Sequence, residues 1–184
     1  MTFEIGKYLI QLLNEIDYNQ DSKDNVNQYS KKYLLKSKIQ LSTKIGIKIF
    51  ENLTELNNAI IGAEGGATGL HETSQIVESN RILICCSNSV FCLEFPTLDL
   101  NWKTEVDEIT AFEIVKIEGG YIIHGELEIT RIDDRGKIIW QNSGADIFIT
   151  QNSDSNFEVH GNLISVIDWN NRIYKWNLDG VEIK

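Results

Sequence analysis

Residues 129–140 read ITRIDDRGKIIW: two β-rich runs around Asp133-Asp134-Arg135-Gly136, closing on a tryptophan. Gly and Asn tolerate the left-handed backbone position that such a tight turn needs, so the stretch reads as a hairpin. Two other stretches share its plan. RILICCSNSVFCLEFPTLDLNWKTE begins at Arg81, GYIIHGELEITRIDDRGKIIWQNSG at Gly120 and NFEVHGNLISVIDWNNRIYKWNLDG at Asn156. Each has an apolar strand, a small polar turn, a second strand, a tight turn and a third strand carrying tryptophan. Trp102, Trp140 and Trp176 lie 38 and then 36 residues apart, and His124-Gly125 and His160-Gly161 lie 36 apart. Asp168-Trp169-Asn170-Asn171 takes the same turn as Asp133 to Gly136. An antiparallel unit of three or four strands repeating at this period is the signature of a propeller blade.

The repeated pattern, a strand ending in Asp, an x-x-Gly turn and a strand ending in Trp, resembles the PQQ-type β-propeller repeat over about residues 81–184. That resemblance implies blades and is almost silent about function. A quinone enzyme of the class needs a full set of blades and a cofactor site, and neither is visible, so no cofactor is expected. Three blades are too few to close a ring, and an uncovered edge invites aggregation. Some cover is therefore expected from the N-terminal part. Ile5, Leu9, Leu12, Leu13 and Ile16 fall at helical spacing and predict an amphipathic helix over residues 3–17. Residues 17–32 are almost wholly polar and read as a loop. Ile45, Ile47 and Ile49 alternate as in a strand, and Asn52 reads as the N-cap of a short helix. The expected fold is mainly β: an antiparallel meander of three propeller-blade-like repeats, an open or incomplete propeller, with an N-terminal helical segment. Residues 1–58 form the helix, linker and capping segment of this scheme, and 59–184 the β-repeat domain.

The chain has 184 residues and a net charge of −10, unevenly spread. Residues 1–50 hold eight Lys/Arg against five Asp/Glu, with Lys31, Lys32, Lys36, Lys38, Lys44 and Lys48 forming a basic stretch; the rest holds nine against twenty-two. The acidic larger part repels phosphate backbones, which argues against nucleic acid and favours a basic protein as partner. No stretch approaches the roughly 18 apolar residues of a membrane span. The start lacks the basic region and cleavage site of a signal peptide, so the expected location is the cytoplasm. Three cysteines, Cys85, Cys86 and Cys92, sit within one apolar stretch. An odd number in strand-like sequence fits buried thiols in a reducing compartment, and adjacent cysteines point to opposite faces of a strand, unlike metal ligands.

The glycine-rich run Gly62-Ala63-Glu64-Gly65-Gly66-Ala67-Thr68-Gly69 lacks the Lys-Ser/Thr of a phosphate loop and reads as a series of turns. His71-Glu72 is the most enzyme-like pair, since a His beside an acid can do general acid–base work. The sequence offers it no nucleophile or metal motif. His124 and His160 occupy matching repeat positions and suggest a shared structural role. The acidic cluster is the stronger candidate. Glu105, Asp107 and Glu108 lie between the first two repeats, and Glu126 and Glu128 are two apart in a predicted strand and so face one side. Asp133 and Asp134 stand at a hairpin tip. Trp169 at a turn tip is expected to be exposed, as interface anchors are.

These features point to a non-enzymatic protein-binding module. The whole chain resembles uncharacterised bacterial proteins of the toxin-immunity kind. The expectation is an acidic cytoplasmic inhibitor of a basic bacterial toxin, with Glu105, Asp107, Glu108, Glu126, Glu128 and Trp169 as the partner-binding residues and no metal. The alternatives are a propeller-type scaffold, a fragment that closes by forming a homodimer, and an enzyme built on His71 and Glu72.

Overall fold

The computed structural model describes residues 1–35, 41–150 and 156–183. Among them there are sixteen strands and no helix. The first sheet holds β1 (Thr2–Ile5), β2 (Tyr8–Asn14), β3 (Lys31–Leu34), β4 (Thr43–Glu51) and β5 (Thr54–Ala63), in the order β1-β2-β4-β5-β3. The second is the meander β6 (Gln75–Val77), β7 (Arg81–Cys86), β8 (Ser89–Glu94) and β9 (Leu100–Glu105). The third is β10 (Ala111–Ile117), β11 (Gly120–Gly125), β12 (Glu128–Asp133) and β13 (Ile138–Ser143). The fourth is β14 (Phe157–His160), β15 (Leu163–Ile167) and β16 (Ile173–Asn177), extended by a single bridge from Trp176 to Glu182. These are propeller-like repeats, and four sheets are present where three repeats were expected.

The N-terminal helices are not formed. Residues 2–14 make the β1–β2 hairpin, turned at Gly6 with φ +58°. Ile10 and Leu12 alternate into the core, and β2 pairs with β4 along its whole length. Leucine and isoleucine fit either period, and the long pairing with β4 overrode the helical spacing. Asn52 and Leu53 both have positive φ (49° and 65°) and form the tight turn of the β4–β5 hairpin rather than a helix start. The expected boundary at 58/59 falls inside β5. Lys36 and Lys38 of the basic stretch lie outside the described residues.

The sheets pack face to face in sequence order. Ile10, Ile45, Ile47 and Ile61 meet Ile82, Ile84 and Phe91 between the first and second sheets. Leu83, Cys85 and Val90 meet Tyr121, Ile123 and Ile132 between the second and third. Ile122 and Ile129 meet Phe157, Ile164, Val166 and Trp176 between the third and fourth. Leu83 and Ile84, Cys85 and Cys86, and Ile122 and Ile123 therefore face opposite cores from adjacent positions. A strand buried on both faces has to be apolar without interruption, which is why RILICC and GYII read as they do. Burial pushes the Cys86 thiol up to about 12, and it raises those of Cys85 and Cys92 as well. Among the described residues no core joins the fourth sheet to the first, and the four sheets run in series as an open arc.

The far face of the first sheet is covered by the segment from Glu15 to Ser30. Tyr18 and Tyr29 pack on Ile60 with Leu34 beside them. The Tyr29 ring lies directly on Gly46, where a Cβ would stand 1.9 Å from its hydroxyl oxygen. That hydroxyl donates to Glu15 Oε1 at 2.6 Å, and Lys44 Nζ donates to the Tyr18 carbonyl at 2.6 Å.

The third repeat is set one strand away from where its sequence match places it. Trp102 and Trp140 lie on β9 and β13, the outermost strands, whereas Trp176 is on the third strand of its sheet. Trp102 packs on Gly136 of the following sheet, and Trp140 packs on Gly180 of the next. The true counterpart of Asp133–Gly136 is thus Asn177–Gly180. In both turns the first side chain accepts N–H groups two and four residues on, and the glycine has φ +78°. The Asp168 turn has the same chemistry, with Asp168 Oδ1 accepting from the N–H groups of Asn170 and Arg172, but it joins the second and third strands. Similar turn residues reported a turn type and not a place in the sheet. His124 and His160 are accordingly not equivalent: the first is buried on β11 and the second exposed on β14.

Replacing Gly136 by Ala imposes a left-handed backbone on a Cβ and pushes it to 2.5 Å from the Trp102 ring. We expect a loss of about 2–4 kcal/mol, read as a shift in the urea midpoint.

Candidate functional site

In the second to fourth sheets the turns after β7, β11 and β15 meet the connections between sheets along one edge, where the N–H groups of Val106, Glu126, Phe148 and Trp169 donate to the carbonyls of Asn88, Thr110, Glu126 and Ile147. Asp107 organises this edge from within. It is 3% exposed, and its Oδ1 accepts the N–H groups of Ile109 and Thr110 at 2.7 and 2.9 Å. Its Oδ2 accepts those of Leu127 and Glu128, each at 2.9 Å. Gly125 lies so close that a Cβ there would meet Oδ2 at 2.2 Å. Asp107 therefore fastens the 106–110 connection to the β11–β12 turn and presents no charge to a partner.

The four other acids surround it. Glu105 Oε1 accepts from Asn88 Nδ2 at 2.7 Å, Glu126 Oε2 from Thr110 Oγ1 at 2.9 Å and Glu128 Oε2 from Gln141 Nε2 at 3.0 Å. Glu126 stands in the turn before β12, so the strand-face reasoning that paired it with Glu128 does not apply; the turn brings them together instead. Burial raises the Glu128 carboxyl above its ordinary range, with Asp107 and Glu108 adding repulsion. Among the described residues none of these acids forms an ion pair with Lys or Arg. The described lysines of the N-terminal stretch that form such contacts are occupied elsewhere: Lys31 on Asp99, Lys44 on the Tyr18 carbonyl and Lys48 on Asn27 and Glu55.

Glu108 and Glu128 line a cleft of about 360 Å³ together with Ser143 to Ile147. Asp146, which the sequence did not single out, is part of it and accepts from Asn170 Nδ2 at 2.5 Å. The N–H of Trp169 donates to the Ile147 carbonyl at 2.8 Å, which ties the turn that carries this half-exposed residue to the rim of the cleft. Asp133 and Asp134 go to the opposite end of β12. There Asp133 holds its own turn, and Asp134 pairs with Arg81 at 2.9 Å.

His71 finds its acid elsewhere than at Glu72. Its Nδ1 is 3.1 Å from Thr73 Oγ1, which donates to Glu113 Oε2 at 2.6 Å. Glu113 Oε1 is 2.9 Å from His124 Nδ1, and His124 Nε2 is 3.0 Å from the Phe148 carbonyl. This chain borders a second cleft, of about 340 Å³. Burial raises the Glu113 carboxyl, but hydrogen bonds from His124 and Thr73 outweigh it and the net shift is downward. No group of three metal-ligating side chains occurs among the described residues. The glycine-rich run is structural: Gly65 and Gly66 lie against the Ile109 carbonyl and Thr110, and Thr68 Oγ1 donates to backbone carbonyls at Ser87 and Ala111.

No family model matches the chain, and no curated protein matches it. Among solved structures it is similar to the AfRom2 CNH domain, at 12% identity and a TM-score of 0.49 over 97% of this chain and 66% of that one. It is also similar to BamB from Moraxella catarrhalis, at 13% and 0.49 over 100% and 62%, and to the WD40 β-propeller domain of Doa1, at 14% and 0.42 over 74% and 44%. The chain thus spans between 44% and 66% of the length of these chains.

Two outcomes check the site. Asp107→Asn replaces an acceptor of two N–H groups by an amide donor in a buried place and should cost about 2–4 kcal/mol in chemical denaturation, whereas Glu108→Gln should cost under about 0.5. Because the folded-state value of Glu113 is depressed, its contribution is present above the ordinary glutamate range and is lost as pH falls through the folded value. Glu113→Gln should therefore flatten the acid side of the stability profile, followed by thermal unfolding from pH 7 to 3.

Proposed function

We propose that the chain is a protein-binding module that receives a basic protein on its acidic end. The observation that carries this reading is the set Glu105, Glu108, Glu126 and Glu128. They crowd one end without a Lys or Arg counterion among the described residues, and Asp146 and the exposed Trp169 stand beside them. Like charges held this close repel, and a cationic partner relieves the repulsion while adding attraction. The indole supplies an apolar anchor next to the charges. Asp107 leaves the binding set, because its lone pairs are spent on the backbone.

In its specific form the module is a cytoplasmic inhibitor of the immunity kind, whose carboxylates occupy the cationic site of a bacterial toxin in place of phosphate. We assign the PQQ type of repeat to the second and third sheets, on the packing of Trp102 over Gly136 and of Trp140 over Gly180.

The test is stopped-flow association with a basic bacterial toxin domain, such as a cationic nuclease. Changing Glu105, Glu108, Glu126 and Glu128 to Gln should slow association at least about tenfold at low ionic strength and less than about twofold at 0.5 M salt. Trp169→Ala should act on dissociation instead. An association rate indifferent to salt sinks the reading.

A further inference from the structure

We infer that the outer face of the fourth sheet is the contact of a symmetric dimer with a second copy of this chain. The two ends of the arc are finished differently. The far face of the first sheet lies under Tyr18 and Tyr29. Among the described residues the far face of the fourth carries no such cover: Phe157, Ile164, Val166 and Trp176 point to the third sheet, and the alternate positions point away. Ile173 there is 62% exposed.

The pairing of the strands lays this face out in rows. Glu158, Ser165 and Lys175 form the middle row across β14, β15 and β16, because Glu158 pairs with Ser165 and Ser165 with Lys175. On one side of it Ile167 pairs with Ile173, and on the other Leu163 occupies the central strand. A two-fold axis lying in the contact along β15 exchanges the two flanking strands of facing copies. Glu158 then stands opposite Lys175 of the second copy, and Lys175 opposite Glu158. Leu163 and Ile167 meet their own counterparts, with the small Ser165 between them. An axis across the strands would instead set Glu158 against Glu158 and Lys175 against Lys175. The charge pattern thus selects one of the two arrangements, and it is self-complementary as a two-fold contact requires. Lys175 has no ion pair among the described residues, and Glu158 has only His160 at 3.5 Å, two positions along its own strand. Because the first sheet is covered, head-to-tail stacking of copies is blocked, and the closed dimer is what remains.

Charge reversal tests this arrangement in analytical ultracentrifugation of the full chain. Glu158→Lys and Lys175→Glu should each weaken the dimer at least about tenfold, each counting twice by symmetry, and the double variant should return to within about threefold of the parent. Near-UV circular dichroism verifies that each variant is folded, and hydrogen exchange on β15 and β16 should become slower with protein concentration in the parent and in the double variant but not in the single reversals. A parent chain that stays monomeric to about 1 mM overturns the inference, as does a dimer insensitive to either reversal or a double variant that stays apart.

Discussion

A sheet that is apolar on both faces cannot stand alone, and this constraint governs everything else in the molecule. The inner strands of the second and third sheets are apolar on both faces, so each sheet needs a neighbour on either side. The first sheet meets the same demand by different means. Its inner face is aliphatic, and its outer face is built to accept tyrosines: Gly46 makes room, Ile60 gives the ring a floor, and Glu15 and the Tyr18 carbonyl take the polar ends of Tyr29 and Lys44. A polar loop of small apolar content is enough to finish a sheet when one of its two rings lies over a glycine.

Carboxylates serve two opposite purposes within a few residues of one another. Asp107 is satisfied by four backbone N–H groups and holds two loops in register, which makes it part of the frame. Its neighbours at 105, 108, 126 and 128 keep their charge near the surface with at most neutral donors for company. The first kind lowers the energy of the fold. The second adds repulsion that only solvent or a partner removes.

The repeat of β-units was legible in the sequence because hairpin chemistry is local: Asp133, Asp168 and Asn177 all announce their turns by an Asx side chain and a following residue with positive φ. Position within the sheet was not legible, since it depends on which strand the next one meets. The N-terminal sheet was missed for the same reason. Residues 8–14 carry apolar side chains at spacings that suit a helix and a strand equally, and only β4, thirty residues on, decides between them. Leu53 in a left-handed turn gives no compositional warning at all. At the acidic end, Glu105, Glu108, Glu126 and Glu128 stood out in the sequence by their charge, but the turn that brings Glu126 beside Glu128 was read as a strand. The buried role of Asp107 was hidden because its four partners are backbone groups from two separate loops. Glu113 escaped notice because its link to His71 passes through Thr73 and a strand forty residues away.

Arranging the sheets in series has a consequence for cooperativity. Within one copy of the chain the second and third sheets are each held by two interfaces, whereas the fourth rests on one, the core around Phe157 and Trp176. In a linear array the terms are nearest-neighbour, so opening proceeds inward from the least supported unit. Trp169 belongs to that unit, while the glutamates beside it belong to the well-buttressed middle. An occupant that grips both therefore clamps a fraying element onto a rigid one, and part of its binding energy is spent on suppressing the local unfolding of the fourth sheet.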